Sequence, residues 1–199
     1  MTLREEQGLI ADWIRPGSRV LDLGCGDGSL LAHLKLERNC TGYGVEIDGE
    51  NIVRCIASGV NVLHSDLDGG LSDFDDDSFD YVVMTQTLQA VHYPNRLLHE
   101  MLRVGREGIV TFPNFGHWRC RLQVLAGRMP VTRNLPSTWY DTQNIHMCTV
   151  RDFEALCEEA RIEILQHAAV DTAHRSALAM RLLPNLFSEI AIYRFRRRA

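Results

Sequence analysis

Val20-Leu21-Asp22-Leu23-Gly24-Cys25-Gly26-Asp27-Gly28 is the stretch whose reading decides the fold. Val20, Leu21 and Leu23 make a short apolar run interrupted by an acid, as in a buried strand that stops at a site. Glycines at every second position then permit a tight turn and let a ligand lie directly on backbone. Beyond the turn, Leu30, Leu31 and Leu34 stand at core spacing, so Ser29 to Leu34 reads as a helix. Strand, glycine-rich turn and helix open a nucleotide-binding α/β unit; the plainer alternative is a glycine-rich loop in any α/β sheet.

Charge and spacing narrow the ligand. Dinucleotide folds carry G-x-G-x-x-G, whereas this turn is G-x-G-x-G with Asp22 two residues ahead. A pyrophosphate seeks bare backbone N–H groups at a helix start. Here Asp22 and Asp27 bracket that spot with negative charge, which disfavours an NAD-linked enzyme. A phosphate-free ligand with a positive centre fits better, and S-adenosylmethionine carries an ammonium, a sulfonium, a ribose and an adenine. The pattern Asp-x-Gly-x-Gly-x-Gly resembles motif I of the class I methyltransferases.

Later strand ends add further acids. Cys40 to Ile47 reads as a second strand whose end, Glu46-Ile47-Asp48, places a carboxylate where vicinal ribose hydroxyls would donate to it. An acid in a polar turn or N-cap is the plainer alternative. Asp48 caps a helix to Ser58 with Ile52, Val53, Cys55 and Ile56 inward. Val60 to His64 is a third strand that delivers Ser65-Asp66-Leu67. Asp66 there would accept from an adenine amino group while Leu67 packs on the ring, or it is a turn aspartate. Phe79 to Met84 is a fourth strand, and it brings Gln86 to the expected amino-acid end of the ligand. Asn95 to Arg103 is a helix, Gly108 to Phe112 a fifth strand, Val150 to Ala160 a helix, and Ile162 to Val170 and Ser188 to Phe195 the last strands. Asp171 to Asn185 reads as an apolar connection, and Leu3 to Ile14 as an amphipathic helix with Leu3, Ile10 and Ile14 on one face. The expected cofactor set is Asp22, Gly24, Cys25, Gly26, Gly28, Glu46, Ile47, Asp66, Leu67 and Gln86.

Composition removes several classes of function. The chain has 199 residues, 45% of them hydrophobic, which suits one domain with a large core. No apolar run is long enough to suggest a membrane span, and the N-terminus lacks the basic-then-apolar form of a signal peptide, so a cytoplasmic protein is expected. Six cysteines show no C-x-x-C and eight histidines no metal-ligand spacing, so buried reduced thiols and no metal are expected. A net charge of −5 argues against nucleic-acid binding. Charge is uneven, however. Residues 114–140 hold four arginines and no acid. This falls within an insertion, 114–147, where Trp118, Leu122 and Leu125 suggest a short amphipathic helix. So long a segment reads as a lid or as a docking face through Arg119, Arg121, Arg128 and Arg133. The arginine-rich end reads as a soluble tail.

Beyond motif I, nearly the whole sequence is similar to one family, the methionine biosynthesis proteins called MetW. The matching stretches are Val20–Gly28, Tyr43–Glu46, Phe79–Leu88, Phe112-Pro113-Asn114-Phe115-Gly116-His117-Trp118, Gly127-Arg128-Met129-Pro130-Val131-Thr132 and Trp139–His146. Gln143 departs from the family, which has proline there. The resemblance implies an α/β, Rossmann-like class I methyltransferase fold, with a mostly parallel seven-stranded sheet and helices on both faces. It implies a single domain over 1–199 that binds S-adenosylmethionine or S-adenosylhomocysteine. It also implies a role in methionine synthesis beside a homoserine O-acyltransferase; a homodimer is left open. The alternative is an active small-molecule methyltransferase. His92, Tyr93, His117 and His146 are its candidate bases, each more simply a packing or loop residue, and no catalytic residue is assigned.

Overall fold

The structure, a computed structural model, describes residues 3–170 and 182–198. Seven strands form one sheet: β1 (Arg19–Leu23), β2 (Thr41–Glu46), β3 (Val62–His64), β4 (Phe79–Thr85), β5 (Gly105–Pro113), β6 (Ile162–Val170) and β7 (Ile190–Arg197). Their order is β3-β2-β1-β4-β5-β7-β6. The first five run parallel, and β7 lies antiparallel to both β5 and β6. The expected fold class is therefore found.

The helices are α1 (Glu5–Trp13), α2 (Ser29–Arg38), α3 (Gly49–Ala57), α4 (Pro94–Val104), α5 (Trp118–Leu125), α6 (Val150–Glu159) and the single turn α7 (Pro184–Phe187). Strand alternation sorts the core into two faces. Leu21, Leu23, Val82, Met84 and Val110 meet α4 and α6 on one side. Val20, Tyr81, Val83 and Ile109 meet α1 and α2 on the other. The chain leaves β1 in one direction and reaches β4 in the other, so the switch point of the sheet lies between those two carboxyl ends, where open α/β sheets hold ligands. No helix among the described residues is long and apolar enough to cross a membrane. All six cysteines are free thiols, five of them buried.

Three expectations are corrected. The inward face assigned to α3 is mostly outward: Cys55 is buried, but Val53 and Ile56 are each 65% exposed, because β3 is a three-residue edge strand too short to cover the helix. In α5 the helix is present, yet Leu122 and Leu125 face solvent. The arginine-rich end is the last strand: Arg194 is paired with Glu107 and Arg196 with Glu163 on neighbouring strands. Most of the connection expected at 171–185 lies outside the described residues.

Candidate functional site

The turn after β1 is held to β2 by Gly24 N and Cys25 N, which both donate to Val45 O, at 2.8 and 3.1 Å. Its three glycines share the left-handed region, with φ of 69°, 56° and 75° at 24, 26 and 28. Their surroundings differ. A Cβ on Gly24 would stand 2.5 Å from Thr87 Oγ1, and one on Gly28 would stand 2.9 Å from Cys55 Sγ. These two glycines fit the turn against its own protein. Around Gly26 there is nothing within 4 Å, so this is the position that leaves room for a ligand. Cys25 turns its side chain inward to Cys55, with the sulfurs 3.8 Å apart, and burial pushes its thiol pKa up. It can offer a ligand only backbone.

Asp22 lies in register between Gly44 of β2 and Val83 of β4 and is 1% exposed. Its Oδ1 is buried without a hydrogen-bond partner. Burial lifts the carboxyl pKa to about 7, the nearby Arg4 opposes that rise, and the Glu46 carboxylate adds to it. A buried carboxylate oxygen lacking a donor is costly, and a cationic ligand group would supply one. Glu46, at the end of β2, accepts from Gly26 N at 2.7 Å through Oε2, and from Ile47 N and Asp48 N, both at 2.9 Å, through Oε1. It thus ties the open glycine to the second strand. Ile47 follows it with its apolar side chain 60% exposed. Asp66, exposed at the end of β3, caps the next turn by accepting from Asp68 N at 3.0 Å, and Leu67 is half-buried against the core.

Gln86 sits at the end of β4 in the left-handed region, φ 51°. Its backbone N donates to Thr111 O, and its side-chain Nε2 donates to Glu6 Oε1 at 2.8 Å. Glu6 is one of three residues that sequence reasoning missed. With Arg4 and Gln7 it brings the start of α1 across the carboxyl end of the sheet. Glu6 and Gln7 are 4% and 3% exposed, Gln7 Nε2 donates to Ser29 Oγ at 3.4 Å, and Arg4 pairs with Glu6 at 3.5 Å. One signal was present: Gln7 interrupts the apolar spacing of Leu3, Ile10 and Ile14. A cavity of about 200 Å³ lies at the amino end of β2, away from these acids, and one of about 310 Å³ is lined by Leu67, Asp68 and Tyr93 beyond the carboxyl end of β3.

Beyond Gln86, His92 N donates to Asp68 Oδ1 at 2.7 Å, while His92 Nδ1 faces Asp68 Oδ2. That hydrogen bond holds the Asp68 carboxyl below its usual range. His146 Nε2 lies 3.3 Å from His92 O, Tyr93 is half-exposed and His117 is buried. Among the described residues no group of three His, Cys, Asp or Glu side chains is placed to hold a metal.

A profile of the methionine biosynthesis protein MetW matches residues 4–195. The chain belongs to the MetW family. It is 36% identical over 207 residues to the bifunctional methionine biosynthesis protein MetXA/MetW of Rhodopirellula baltica, covering 99% of this chain and 33% of that protein. This MetW-family chain thus spans about a third of the length of that relative. Solved structures share its fold. The [4+2]-cyclase SpnF superposes with a TM-score of 0.68 at 19% identity, covering 98% of this chain and 81% of the cyclase. An S-adenosylmethionine-dependent methyltransferase of Mesorhizobium loti gives 0.67 at 19% identity, with 96% of each chain covered. One from Thermotoga maritima gives 0.65 at 18%, covering 96% of this chain and 87% of its own. A cyclase among these neighbours shows that methyl transfer does not follow from the architecture.

Proposed function

We propose that this MetW-family chain binds S-adenosylmethionine or S-adenosylhomocysteine at the switch point and, in that state, acts with or regulates a homoserine O-acyltransferase of methionine biosynthesis. The observation that carries the ligand is the buried, donor-less Oδ1 of Asp22 beside the open Gly26. Asp22 would face the ligand's ammonium, Gly26 its backbone-contacting part, Glu46 the ribose hydroxyls, Ile47 and Leu67 the adenine faces, and Asp66 the adenine amino group. Support for the partner comes from the relative named MetXA/MetW, in which a MetW segment shares one chain with another activity. Ligand binding would report the pathway's end product, and it shifts the partner's state only through differential affinity. Titration calorimetry with both adenosyl compounds, and acyl-transfer rates with and without this protein, test the two halves. Absence of binding heat removes the ligand, and no complex with an unchanged rate removes the partner.

One observation favours an active small-molecule methyltransferase instead. His92, whose Nδ1 faces Asp68 Oδ2 on the segment after β4, is the candidate general base. Transfer of labelled methyl to a metabolite, lost in His92→Ala with cofactor affinity retained, would establish that activity.

A further inference from the structure

The insertion after β5 turns a large apolar surface outward. Leu125 is 83% exposed, Trp139 and Tyr140 are each 74% exposed, and Met129 and Met147 also reach solvent. Exposed apolar groups of this size on a folded segment mark an interaction site. The surface is ordered by its own hydrogen bonds: the Gln123 side chain donates to Val131 O and accepts from Val131 N, folding the strap back on α5. Within the insertion lies a cavity of about 180 Å³, lined by the buried Leu135 and the half-buried Phe115 and, toward solvent, by Met129, Trp139 and Met147. It is concave, mostly apolar with Ser137, Thr138, Thr142 and Asn144 among its lining, and sized for one large side chain.

Charge indicates what enters it. Residues 114–140 contain four arginines and no acid in a chain of net charge −5. Two of the four are already engaged: Arg119 pairs with Glu189 at 3.4 Å, and Arg121 Nε donates to Gly116 O at 2.6 Å. Arg128 and Arg133 are exposed and have no ion pair among the described residues. Two unpaired guanidinium groups close in sequence to the cavity's lining suit an apolar anchor flanked by carboxylates. The surface is also wired to the site. Ile145 N and His146 N both donate to Gln89 O, at 2.8 and 3.0 Å, and Gln89 Nε2 donates to Gln86 O at 2.7 Å.

We propose that the Met129–Trp139–Met147 cavity, with Arg128 and Arg133, is where the partner acyltransferase docks, through a large apolar side chain set among acidic residues. The proposal rests on the acyltransferase partnership proposed above. Its test uses the full chain and the purified acyltransferase, with the dissociation constant measured at low and high salt. Trp139→Asp is expected to weaken the complex at least about 30-fold, in the range of interface hot spots. Arg128→Glu with Arg133→Glu is expected to weaken it about tenfold and to flatten its salt dependence. S-adenosylhomocysteine affinity should be unchanged in both variants, which certifies their folding. A wild-type complex that both variants keep at full strength overturns this surface alone. No wild-type complex overturns the partnership and this surface with it. Wild-type binding to phosphatidylglycerol vesicles or to RNA that Trp139→Asp abolishes assigns the face to a membrane or a nucleic acid. Self-association that Trp139→Asp abolishes assigns it to a second copy. Each of these overturns the proposal.

Discussion

Gln86 Nε2 donates to Glu6 Oε1 at 2.8 Å, so the loop that ends β4 and the helix that opens the chain hold each other across the carboxyl edge of the sheet. The bond is partly buried and joins residues 80 positions apart. Gln86 also keeps a left-handed backbone that glutamine adopts only under restraint. Glu6→Ala leaves the Gln86 amide without its partner in a closed space. The expected loss is about 1–3 kcal/mol of stability, as for an unsatisfied buried donor. Urea unfolding measures it, and hydrogen exchange at Gln7 and Gly8 should quicken in the same variant. Unchanged exchange would mean that α1 is not held by this bond.

A ligand whose ammonium faces Asp22, as proposed, is expected to bind in a pH-dependent way. Burial raises the folded pKa of Asp22 to about 7 from the ordinary 3.8, so between these values the folded state keeps a proton that the unfolded chain has lost. Stability is therefore highest at low pH as far as this group is concerned. It declines as pH rises from about 4 to about 7, by an amount on the order of 4 kcal/mol, and is level above that. Asp22→Asn removes this decline, so the variant should be more stable than wild type at pH 8 and equal to it near pH 4. For an ammonium-bearing ligand the sign is opposite. Binding must expel the proton, so affinity for S-adenosylhomocysteine should fall about tenfold per unit below pH 7 and be flat above it. Calorimetry in buffers of different ionisation enthalpy reads the released proton directly. Affinity that is flat through this range would take the ammonium away from Asp22.

The structural task of Glu46 can be separated from its proposed contact with the ribose. Three backbone N–H groups donate to its carboxylate, which fixes the glycine turn and the start of α3. Glu46→Ala should cost stability and also weaken adenosyl-ligand binding by about 1.5–3 kcal/mol, as for hydrogen bonds to a charged group. Adenosine, which keeps the ribose hydroxyls, should show most of the same loss. Affinity unchanged for both ligands would place the sugar elsewhere.

Glycine substitutions distinguish packing from binding. A Cβ on Gly44 would lie 2.3 Å from Cys25 Sγ, whereas one on Gly26 meets nothing within 4 Å. Gly44→Ala should destabilise the sheet through overpacking by on the order of 1–3 kcal/mol. Gly26→Ala should cost about 1 kcal/mol for its left-handed backbone, yet abolish ligand binding by filling the open space. Thermal melts and titrations of the two variants give opposite orders if the ligand lies on Gly26.

Much of this was legible in the chain because it is written locally. The Val20–Gly28 pattern, the acids at 46 and 66 and the alternating apolar runs depend on near neighbours, and they yielded the sheet, its strands and the candidate acids. The roles of Arg4, Glu6 and Gln7 were not legible, since burial of a helix's polar first turn depends on what the sheet places opposite it. The same is true of Val53, Ile56, Leu122 and Leu125. Their helical spacing is that of core residues, but a short edge strand and an overhanging insertion leave them outside. Even the three glycines, identical in sequence and in backbone sign, differ in purpose only through Thr87 and Cys55, which arrive from distant segments.

By itself, then, the sequence determined the strands and the acids at their ends, because periodicity and turn chemistry are properties of residues a few positions apart; the family and its fold class followed from the likeness of whole stretches to known proteins. Only the tertiary structure decided that Gly26 is the open glycine, that Asp22 has a carboxylate oxygen without a donor, and that the first helix is tied to Gln86 and Ser29 at the same edge of the sheet. Burial and hydrogen-bond satisfaction are set by groups brought together from tens of residues away, and no local pattern specifies which of them will meet.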